Sequence, residues 1–436
     1  MDWREAYKEK ICTPEQAAAR IRSGDTIQAN FGGSIPYAFL DALAAWSLEH
    51  LEGVTLYLAG FYKETAIADR LYNPHVTVKS AFLGPCERRA AAAGSDVAYQ
   101  AMHLSNLSYD RRGKHVPRVL LTAGSEPDEN GMISLGVAPF DTALLERSEE
   151  VIVQVNRRMP FVYGAGCMLP AERASCLVPL DEEIPELRMP PPSEVQRRIA
   201  AHIVELTPDG ACVQFGIGGV SAAIGEALMG KRDLGCYSEM FTDPIAKLMQ
   251  AGVINNSRKN FCPGKTLFTN ALGTAEMYAY MDRNPALEAH PCGWLNDPRN
   301  IARNDGMISV NGALCCDLTG QVCAESIGFR QFSGTGGQLD FVRGARWSRG
   351  GKSFLTLPSV HVDRDGRRSS NISLTLPPGS IVTTPRADVH YIVTEYGAAD
   401  LQDEPVDVRA RRLIAIAHPD YRDALLFDAK RAGYII

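Results

Sequence analysis

The sequence predicts an α/β protein made of two similar open α/β domains with a cleft between them. Three observations in the 436-residue chain support this fold class. Two segments recur in the same order, continuous apolar runs alternate with amphipathic stretches, and one proline-rich stretch separates the two halves. With 45% hydrophobic residues, the chain can bury a large core and is expected to form at least two domains.

The repeated segments are residues 24–43 (GDTIQANFGGSIPYAFLDAL) and 209–228 (DGACVQFGIGGVSAAIGEAL). Each reads as a turn, a short β-rich segment with a central glutamine (Gln28 or Gln214), a Gly-Gly pair and an amphipathic helix. A second match follows in the same order, between the NGMIS and DGMIS segments that begin at Asn130 and Asp305. Two matches in one order indicate a duplicated α/β domain.

The domain boundary is predicted at residues 183–192 (EIPELRMPPP). A stretch so rich in proline supports neither a helix interior nor a central strand. Just after it, Ser193 and Gln196 have the spacing of a helix capping box. The predicted domains are therefore residues 1–188 and 189–436.

Strands are predicted where apolar residues run together. Residues 116–122 (VPRVLLT) and 150–155 (EVIVQV) are typical of strands buried on both faces of a parallel sheet. Shorter strands are predicted at 354–360, 372–376 and 380–383, where proline and glycine interrupt the pattern. Because open α/β sheets bind ligands beyond the carboxyl ends of their strands, we expect the active site in the cleft between the two domains.

Composition and charge exclude several classes of protein. The net charge of −6 and the lack of a long basic run argue against nucleic acid as the main partner. Apolar runs are shorter than the roughly 20 residues that span a membrane, and the charged start MDWREAYKEK lacks the apolar core of a signal peptide. The eleven cysteines form no CxxC motif and the histidines no HxxxH motif. We therefore expect a cytoplasmic protein with buried free thiols, without a metal site and without membrane attachment.

Two glycine clusters are candidate ligand loops. Residues 216–219 (GIGG) lie between a predicted strand and helix, where backbone N–H groups can approach a ligand. The dinucleotide pattern GxGxxG is broken because Ser221 stands at its last position. A loop that binds a phosphate, a carbonyl or an oxyanion and a loop needed only for tight packing remain equally good interpretations. Residues 333–345 (SGTGGQLDFVRGA) are either a flexible hairpin or a second set of backbone donors.

One acidic residue follows the first of these loops closely. Glu239 comes two residues after the short apolar segment of LGCYSEMFTD, and 20 residues after the glycine cluster. From the residues alone it is either a surface acid at a strand end or a reacting carboxylate.

Long ordered motifs make the chain resemble a known family. The segments SEMFTD, NDGMISVNGAL, DLTGQVCAESIGFRQFSGTGGQLDFVRGA and ADVHYIVTEYGAADL resemble the acetyl-CoA hydrolase/transferase family. These are the class I CoA-transferases that include 4-hydroxybutyrate and butyryl-CoA:acetate CoA-transferases. The resemblance extends over nearly the whole chain and is densest from residue 234 to 425.

The resemblance implies roles for particular residues. The glutamate of the SEM segment is the family's covalent nucleophile, which implies that role for Glu239. The family's coenzyme A contacts correspond to Gln214, Phe215, Gly216, Ile217, Gly218, Leu314 and Gly337. The sequence departs from the family at Pro244, where glycine is usual, and at residues 359–363 (SVHVD), where a lysine is expected. The second departure implies that a lysine contact to the cofactor is missing. Both departures leave the chemistry intact and leave the acyl substrate open.

The resemblance also implies an activity. The expected enzyme moves CoA between a short-chain acyl-CoA (butyryl-, 4-hydroxybutyryl-, propionyl- or acetyl-CoA) and a free acid such as acetate, with CoA thioester as substrate and without a tightly bound cofactor. It is expected to work as a homodimer or homotetramer. An acyl-CoA hydrolase on the same scaffold is the first alternative. A nucleotide-binding oxidoreductase or a regulatory CoA-binding module is the second, and the broken GxGxxG counts against it.

Overall fold

The structure, a computed structural model, describes residues 2–68, 73–94, 97–107, 116–363 and 365–435. The chain divides into two compact units. The first unit comprises Met1–Leu187 and Leu267–Leu295, and the second comprises Arg188–Thr266 and Asn296–Ile436. The predicted domains, 1–188 and 189–436, are contiguous, so the prediction assigns residues 267–295 to the second domain. In the structure these residues belong to the first unit.

The strands of the described residues, numbered along the chain, are β1 (Thr26–Ala29), β2 (Val54–Leu58), β3 (Val76–Ser80), β4 (Ala98–Tyr99), β5 (Val119–Gly124), β6 (Met132–Ser134), β7 (Glu150–Val155), β8 (Met168–Pro170), β9 (Cys176–Pro179), β10 (Cys212–Phe215), β11 (Gly235–Cys236), β12 (Met240–Phe241), β13 (Thr266–Phe268), β14 (Asn270–Ala271), β15 (Leu287–Ala289), β16 (Met307–Gly312), β17 (Cys315–Asp317), β18 (Val322–Cys323), β19 (Ser326–Ile327), β20 (Arg330–Gln331), β21 (Lys352–Thr356), β22 (Val360–Val362), β23 (Arg368–Ser370), β24 (Ile372–Ser373), β25 (Tyr391–Thr394) and β26 (Gly397–Asp400).

The α-helices of the same residues are α1 (Trp3–Ala6), α2 (Pro14–Ala18), α3 (Tyr37–His50), α4 (Pro85–Ala92), α5 (Thr142–Arg147), α6 (Glu194–Glu205), α7 (Gly219–Ala227), α8 (Asp243–Gln250), α9 (Ala275–Met281), α10 (Cys292–Leu295), α11 (Pro298–Ile301), α12 (Gln338–Trp347), α13 (Val406–Ile416) and α14 (Pro419–Arg431).

The first unit is built on a seven-stranded sheet in the order β4-β3-β2-β1-β5-β7-β9. All neighbouring strands in this sheet are parallel. The predicted run 150–155 is β7, and the predicted run 116–122 overlaps β5, which begins three residues later, at Val119. The two strands lie side by side in the sheet, and every residue of β5 is buried. Helix α3 packs Phe39, Leu40 and Leu43 into the core of this unit. The predicted α/β class is confirmed for this unit.

The second unit is built on a six-stranded sheet in the order β11-β10-β16-β21-β25-β26. Its first five strands are parallel, and β26 is antiparallel to β25. The repeated segments adopt the same order in both units, because β1 and β10 each lead through a glycine pair to a helix, α3 or α7. The predicted start of α6 is also confirmed, since Ser193 and Gln196 form a reciprocal capping box.

Two predictions about local structure need correction. Residues 380–383 form no strand, because they lie between a Pro-Pro-Gly turn and Pro385, and only Thr384 makes an isolated bridge, to Val322. The expectation of free thiols fails for one pair, since Cys12 and Cys176 are joined in a disulfide with Cα atoms 6.1 Å apart. The other nine cysteines are not in disulfides.

Two features are absent from the described residues. None of their helices is long and apolar enough to cross a membrane. Nor do the described residues contain a group of three or more His, Cys, Asp or Glu side chains that could hold a metal ion.

One buried acid of the first unit makes the stability of the protein depend on pH. Glu87 is completely buried, and its Oε1 accepts hydrogen bonds from the Phe61 N–H (2.8 Å) and the Ser80 hydroxyl (3.2 Å). Its Oε2 has no hydrogen-bond partner among the described residues. Burial raises the pKa of Glu87 to about 7, and the hydrogen bonds to its carboxylate offset this only in part.

Glu87→Gln is expected to raise the melting temperature at pH 8.5 and to leave it nearly unchanged at pH 5. Since the folded-state pKa lies above the ordinary value of 4.5, stability is full below pH 4.5 and falls as the pH rises through about 7. The ionised group costs about 3 kcal/mol of unfolding free energy, a cost that the neutral amide avoids. Thermal unfolding of the wild type and of Glu87→Gln at pH 5 and pH 8.5 measures this effect. A difference in melting temperature between the two proteins that is the same at both pH values would contradict the prediction.

Candidate active site

Glu239 lies in the turn between β11 and β12, at the carboxyl end of the edge strand of the second sheet. The two preceding residues, Tyr237 and Ser238, are completely buried, and Glu239 itself is half-buried. The Tyr237 N–H donates to the Val213 carbonyl at 3.3 Å, which ties this turn to β10. The turn therefore presents the Glu239 carboxylate at the carboxyl edge of the parallel strands.

Two donors from distant parts of the second unit hold this carboxylate. The Asn296 side-chain amide donates to Glu239 Oε2 at 2.7 Å, and the backbone N–H of Gly337 donates to the same carboxylate. A Cβ atom at Gly337 would collide with both Glu239 Oε2 and the Asn296 amide. The three groups are thus in direct contact, and only glycine fits at position 337 without displacing the other two.

Burial controls the electrostatics of Glu239. It raises the pKa of the carboxyl group to about 7, and the hydrogen bonds from Asn296 and Gly337 counteract this rise only in part. A carboxyl group with such a pKa is ionised in about half of the molecules at neutral pH. It is also more basic, and hence more nucleophilic, than an ordinary glutamate. Perturbed acids of this kind are enriched at reactive sites.

The Gly337 amide owes its position to the glycine-rich segment 333–336 before it and to helix α12 after it. Gly337 is the N-cap residue of this ten-residue helix, and its carbonyl accepts the Phe341 N–H at 3.0 Å. The preceding Gly336 has a φ of +60°, which favours glycine. The loop delivers a backbone donor at a helix N-terminus, where negative charge is stabilised. The interpretation as a set of backbone donors is therefore favoured over a flexible hairpin.

The other predicted contact residues lie at the same edge of the sheet. The strand order reverses between β10 and β16, and ligands of open α/β sheets bind at such a switch point. Gln214 and Phe215 are the buried last residues of β10, and Gly216, Ile217 and Gly218 follow them. Leu314 comes just after the neighbouring strand β16 and is half-buried. These residues flank the switch point, and β11, which leads to Glu239, is the next strand beyond β10.

The glycines of the 216–219 loop differ in whether packing or backbone conformation requires glycine at that position. A Cβ atom at Gly216 or Gly218 would meet no described atom within 4 Å, so packing does not require glycine at either position. Gly218 has a φ of +114°, which few other residues adopt. At Gly219 a Cβ atom would collide with the Gln196 side chain. Tight packing thus explains Gly219, while the space above Gly216 and Gly218 is compatible with a bound ligand.

Asn296 is a functional residue that the sequence did not predict. It is completely buried, and its Oδ1 has no hydrogen-bond partner among the residues described. It stands alone in the segment GWLNDP, and a single asparagine in a loop carries no pattern from which its neighbours in the fold can be inferred. Only the tertiary structure brings it to the carboxylate.

The fold, with an acid of raised pKa held by a glycine-loop amide, is that of an α/β enzyme. The N-terminal domain of the acetyl-CoA hydrolase/transferase family matches residues 1–186, and the C-terminal domain of the same family matches residues 273–429. The chain belongs to the acetyl-CoA hydrolase/transferase family. The resemblance stated from the sequence motifs is therefore confirmed.

Similar proteins cover the whole chain. A succinyl-CoA:cyclohexane-1-carboxylate CoA transferase of Geobacter metallireducens is 38% identical, over 98% of this chain and 97% of its own length. A 4-hydroxybutyrate coenzyme A transferase of Clostridium kluyveri is 34% identical, over 99% of this chain and 100% of its own. Among solved structures, RipA from Yersinia pestis is 33% identical, with a TM-score of 0.92 and complete coverage of both chains.

Proposed function

We propose that this protein is a CoA-transferase that moves CoA between a short-chain acyl-CoA and a free carboxylic acid such as acetate. The candidate donors are butyryl-, 4-hydroxybutyryl-, propionyl- and acetyl-CoA. The observation that carries the proposal is the Glu239 carboxylate, which has its pKa raised to about 7 and accepts hydrogen bonds from Asn296 and Gly337. The names of the similar proteins support the reaction class.

The reaction begins with attack of ionised Glu239 on the thioester carbonyl of the acyl-CoA. The C–S bond breaks, and the products are a mixed anhydride on Glu239 and the CoA thiolate. Since burial raises the pKa of this carboxyl group, its anion is a better nucleophile than a solvated glutamate. The dense contacts around the carboxylate also orient it before the acyl-CoA arrives.

Exchange then proceeds through the enzyme-bound glutamyl group. The CoA thiolate attacks the glutamyl carbonyl, which releases the first acid and leaves a glutamyl-CoA thioester. The second acid attacks this thioester, and the same steps run in reverse to the new acyl-CoA. One thioester is exchanged for another, so the free energy of the thioester bond is retained without a further energy source.

The donors to Glu239 have a direct role in these steps. Asn296 donates to Oε2, which leaves Oε1 to form the new bond. Oε2 then becomes the carbonyl oxygen of the glutamyl group and carries the negative charge of the tetrahedral intermediates that form when the CoA thiolate or the second acid attacks the glutamyl carbonyl. Loss of one such donor typically raises the barrier by ~3 kcal/mol. The Gly337 amide is the second candidate donor.

The CoA portion of the substrate is assigned to the switch point of the second sheet. We place it against Gln214–Gly218 and Leu314, where open space above Gly216 and Gly218 gives access to the backbone. Contacts far from the thioester contribute by positioning the reacting carbonyl at Glu239.

Trapping the covalent intermediate tests this proposal. Acyl-CoA without an acceptor acid is expected to convert Glu239 to a glutamyl-CoA thioester, because the released acid diffuses away. Borohydride should reduce this thioester to an alcohol, and hydroxylamine should convert it to a hydroxamate. Both reagents should inactivate the enzyme only after acyl-CoA is added. Mass spectrometry should locate the change in the peptide that contains Ser238, Glu239 and Met240.

Steady-state kinetics provide the complementary readout. Double-reciprocal plots are expected to be parallel, because the first acid leaves before the second binds. Intersecting lines together with an unmodified peptide would show direct transfer in a ternary complex. A panel of acyl-CoA donors with acetate also separates transfer from hydrolysis. Transfer yields a new acyl-CoA, whereas hydrolysis yields free CoA that does not depend on acetate.

A further inference from the structure

We propose that Glu325 is a positioning residue for the reaction at Glu239. Its buried carboxylate fixes the glycine loop, defined here as residues 331–337, whose last member donates its amide to Glu239. This inference rests on the proposed function, because it assumes that Glu239 reacts.

Glu325 binds the glycine loop through both its side chain and its backbone. The residue is only 3% exposed. Its Oε2 accepts hydrogen bonds from the Gln331 side-chain amide (3.1 Å) and the Thr335 hydroxyl (3.2 Å). Its backbone carbonyl accepts the N–H groups of Phe332 (2.8 Å) and Ser333 (3.2 Å). Four residues of the loop are therefore attached to Glu325.

A further contact attaches Glu325 to a separate part of the second unit. The Thr383 hydroxyl donates to Glu325 Oε1 at 3.0 Å, and Thr383 Oγ1 accepts the Ala324 N–H at 3.0 Å. The carboxylate thus joins the loop to the segment that leads into Pro385. Each of these side-chain contacts comes from a neutral donor, and a carboxylate can accept several at once because both oxygens are acceptors.

The path from Glu325 to the reacting carboxylate is short. Thr335 lies two residues before Gly337, and buried Gly336 is the one residue between them. On the far side, Gly337 is fixed by the first turn of α12. With both ends of this stretch held, the Gly337 amide has little freedom to move away from Glu239. Catalytic donors are effective when they are preorganised in this way.

Glu325→Gln isolates this role because it keeps the shape of the side chain. The new NH₂ group donates and cannot accept. If it stands in place of Oε2, Gln331 and Thr335 both lose this acceptor and the loop relaxes; if it stands in place of Oε1, Thr383 loses its acceptor and the anchor of the loop is weakened. Turnover is expected to fall about tenfold, less than the loss of an oxyanion donor outright. The readout specific to positioning is the pH profile. The Gly337 hydrogen bond lowers the pKa of Glu239, so its weakening should move the acidic limb of kcat to higher pH.

Asp317→Asn is the matched control. Asp317 is also buried, and it accepts hydrogen bonds from a threonine hydroxyl (Thr319, 2.7 Å) and a glutamine amide (Gln321, 2.6 Å). Those bonds close the turn from β17 to β18 instead of the glycine loop. Asp317→Asn is expected to lower the melting temperature and to leave the acidic limb where it is in the wild type.

The experiment measures kcat against pH for the wild type and the variants, with the acyl-CoA that the wild type turns over fastest. Thr335→Val removes one contact of Glu325, and it should move the acidic limb of the kcat profile to higher pH by less than Glu325→Gln does. It also provides the test if Glu325→Gln does not fold. The double variant should be no slower than Glu325→Gln, because both changes act through one contact.

The possible outcomes separate this inference from the proposed function. An acidic limb that stays in place in both variants would overturn the positioning role, even if turnover fell. If the wild type forms no glutamyl-CoA adduct, the proposed function itself fails. If the wild type forms the adduct but the acidic limb of kcat does not move in the variants, only the positioning role of Glu325 is rejected and the proposed function stands.

Discussion

Replacing Glu239 with alanine is expected to lower the rate of CoA transfer by at least a factor of ~10³, because the group that forms the covalent bond is lost. The fold should persist. Ionised Glu239 is costly to keep in its buried position, as its raised pKa shows, so removing it relieves the folded state above pH 7. The variant should therefore unfold at the same or a higher temperature than the wild type at pH 8.

Glu87→Gln is the matched control for this measurement. Glu87 is a second glutamate whose pKa is raised to about 7 by burial, and it is completely buried. It accepts hydrogen bonds from Phe61 and Ser80 and lies in the first unit, without the Asn296 and Gly337 donors. Transfer should be unaffected in this control. If Glu239→Ala retained more than ~1% of the wild-type rate, Glu239 would not be the nucleophile.

Much of the fold could be predicted from the sequence because it is encoded locally. Apolar runs identified β5 and β7, and the repeated segments identified the strand, glycine pair and helix in both units. The return of residues 267–295 to the first unit could not be predicted, since it depends on which distant residues pack together. The strand predicted at 380–383 was wrong for a local reason. These β-prone residues lie between two proline-containing segments, which leaves too short a stretch to form a strand. The prediction of a cleft stays a prediction.

In the candidate site too, features encoded in contiguous sequence could be predicted, and contacts between distant residues could not. Glu239, Gly337 and the 214–218 segment were reached through glycine clusters and family motifs, which are properties of contiguous sequence. The contact between Glu239 and Gly337 joins residues nearly a hundred positions apart, and the sequence indicated neither that contact nor Asn296. The raised pKa of Glu239 is also a property of the folded chain, because burial is its main cause.

Replacing Gly337 with alanine is expected to lower kcat by about 10²-fold or more while changing stability little. Gly337 has a φ of −98° and a ψ of 11°, a conformation open to alanine, so the backbone itself is not strained by the change. The new Cβ atom would instead collide with Glu239 Oε2 and the Asn296 amide. Because the collision lies among the reacting groups, the damage should appear in turnover.

Gly344→Ala, within helix α12, is the control for Gly337→Ala, because it is expected to lower stability and not kcat. There a Cβ atom would collide with the Ile301 side chain, in the packing between α11 and α12 and away from the N-terminal end of α12 that faces Glu239. This variant should lose stability but keep the wild-type kcat per folded molecule. Measuring kcat and melting temperature for both variants therefore separates damage to the site from damage to the helix. A normal kcat in Gly337→Ala would remove the glycine loop from the oxyanion site, since no transition-state donor can lose its place beside the nucleophile without a cost in rate.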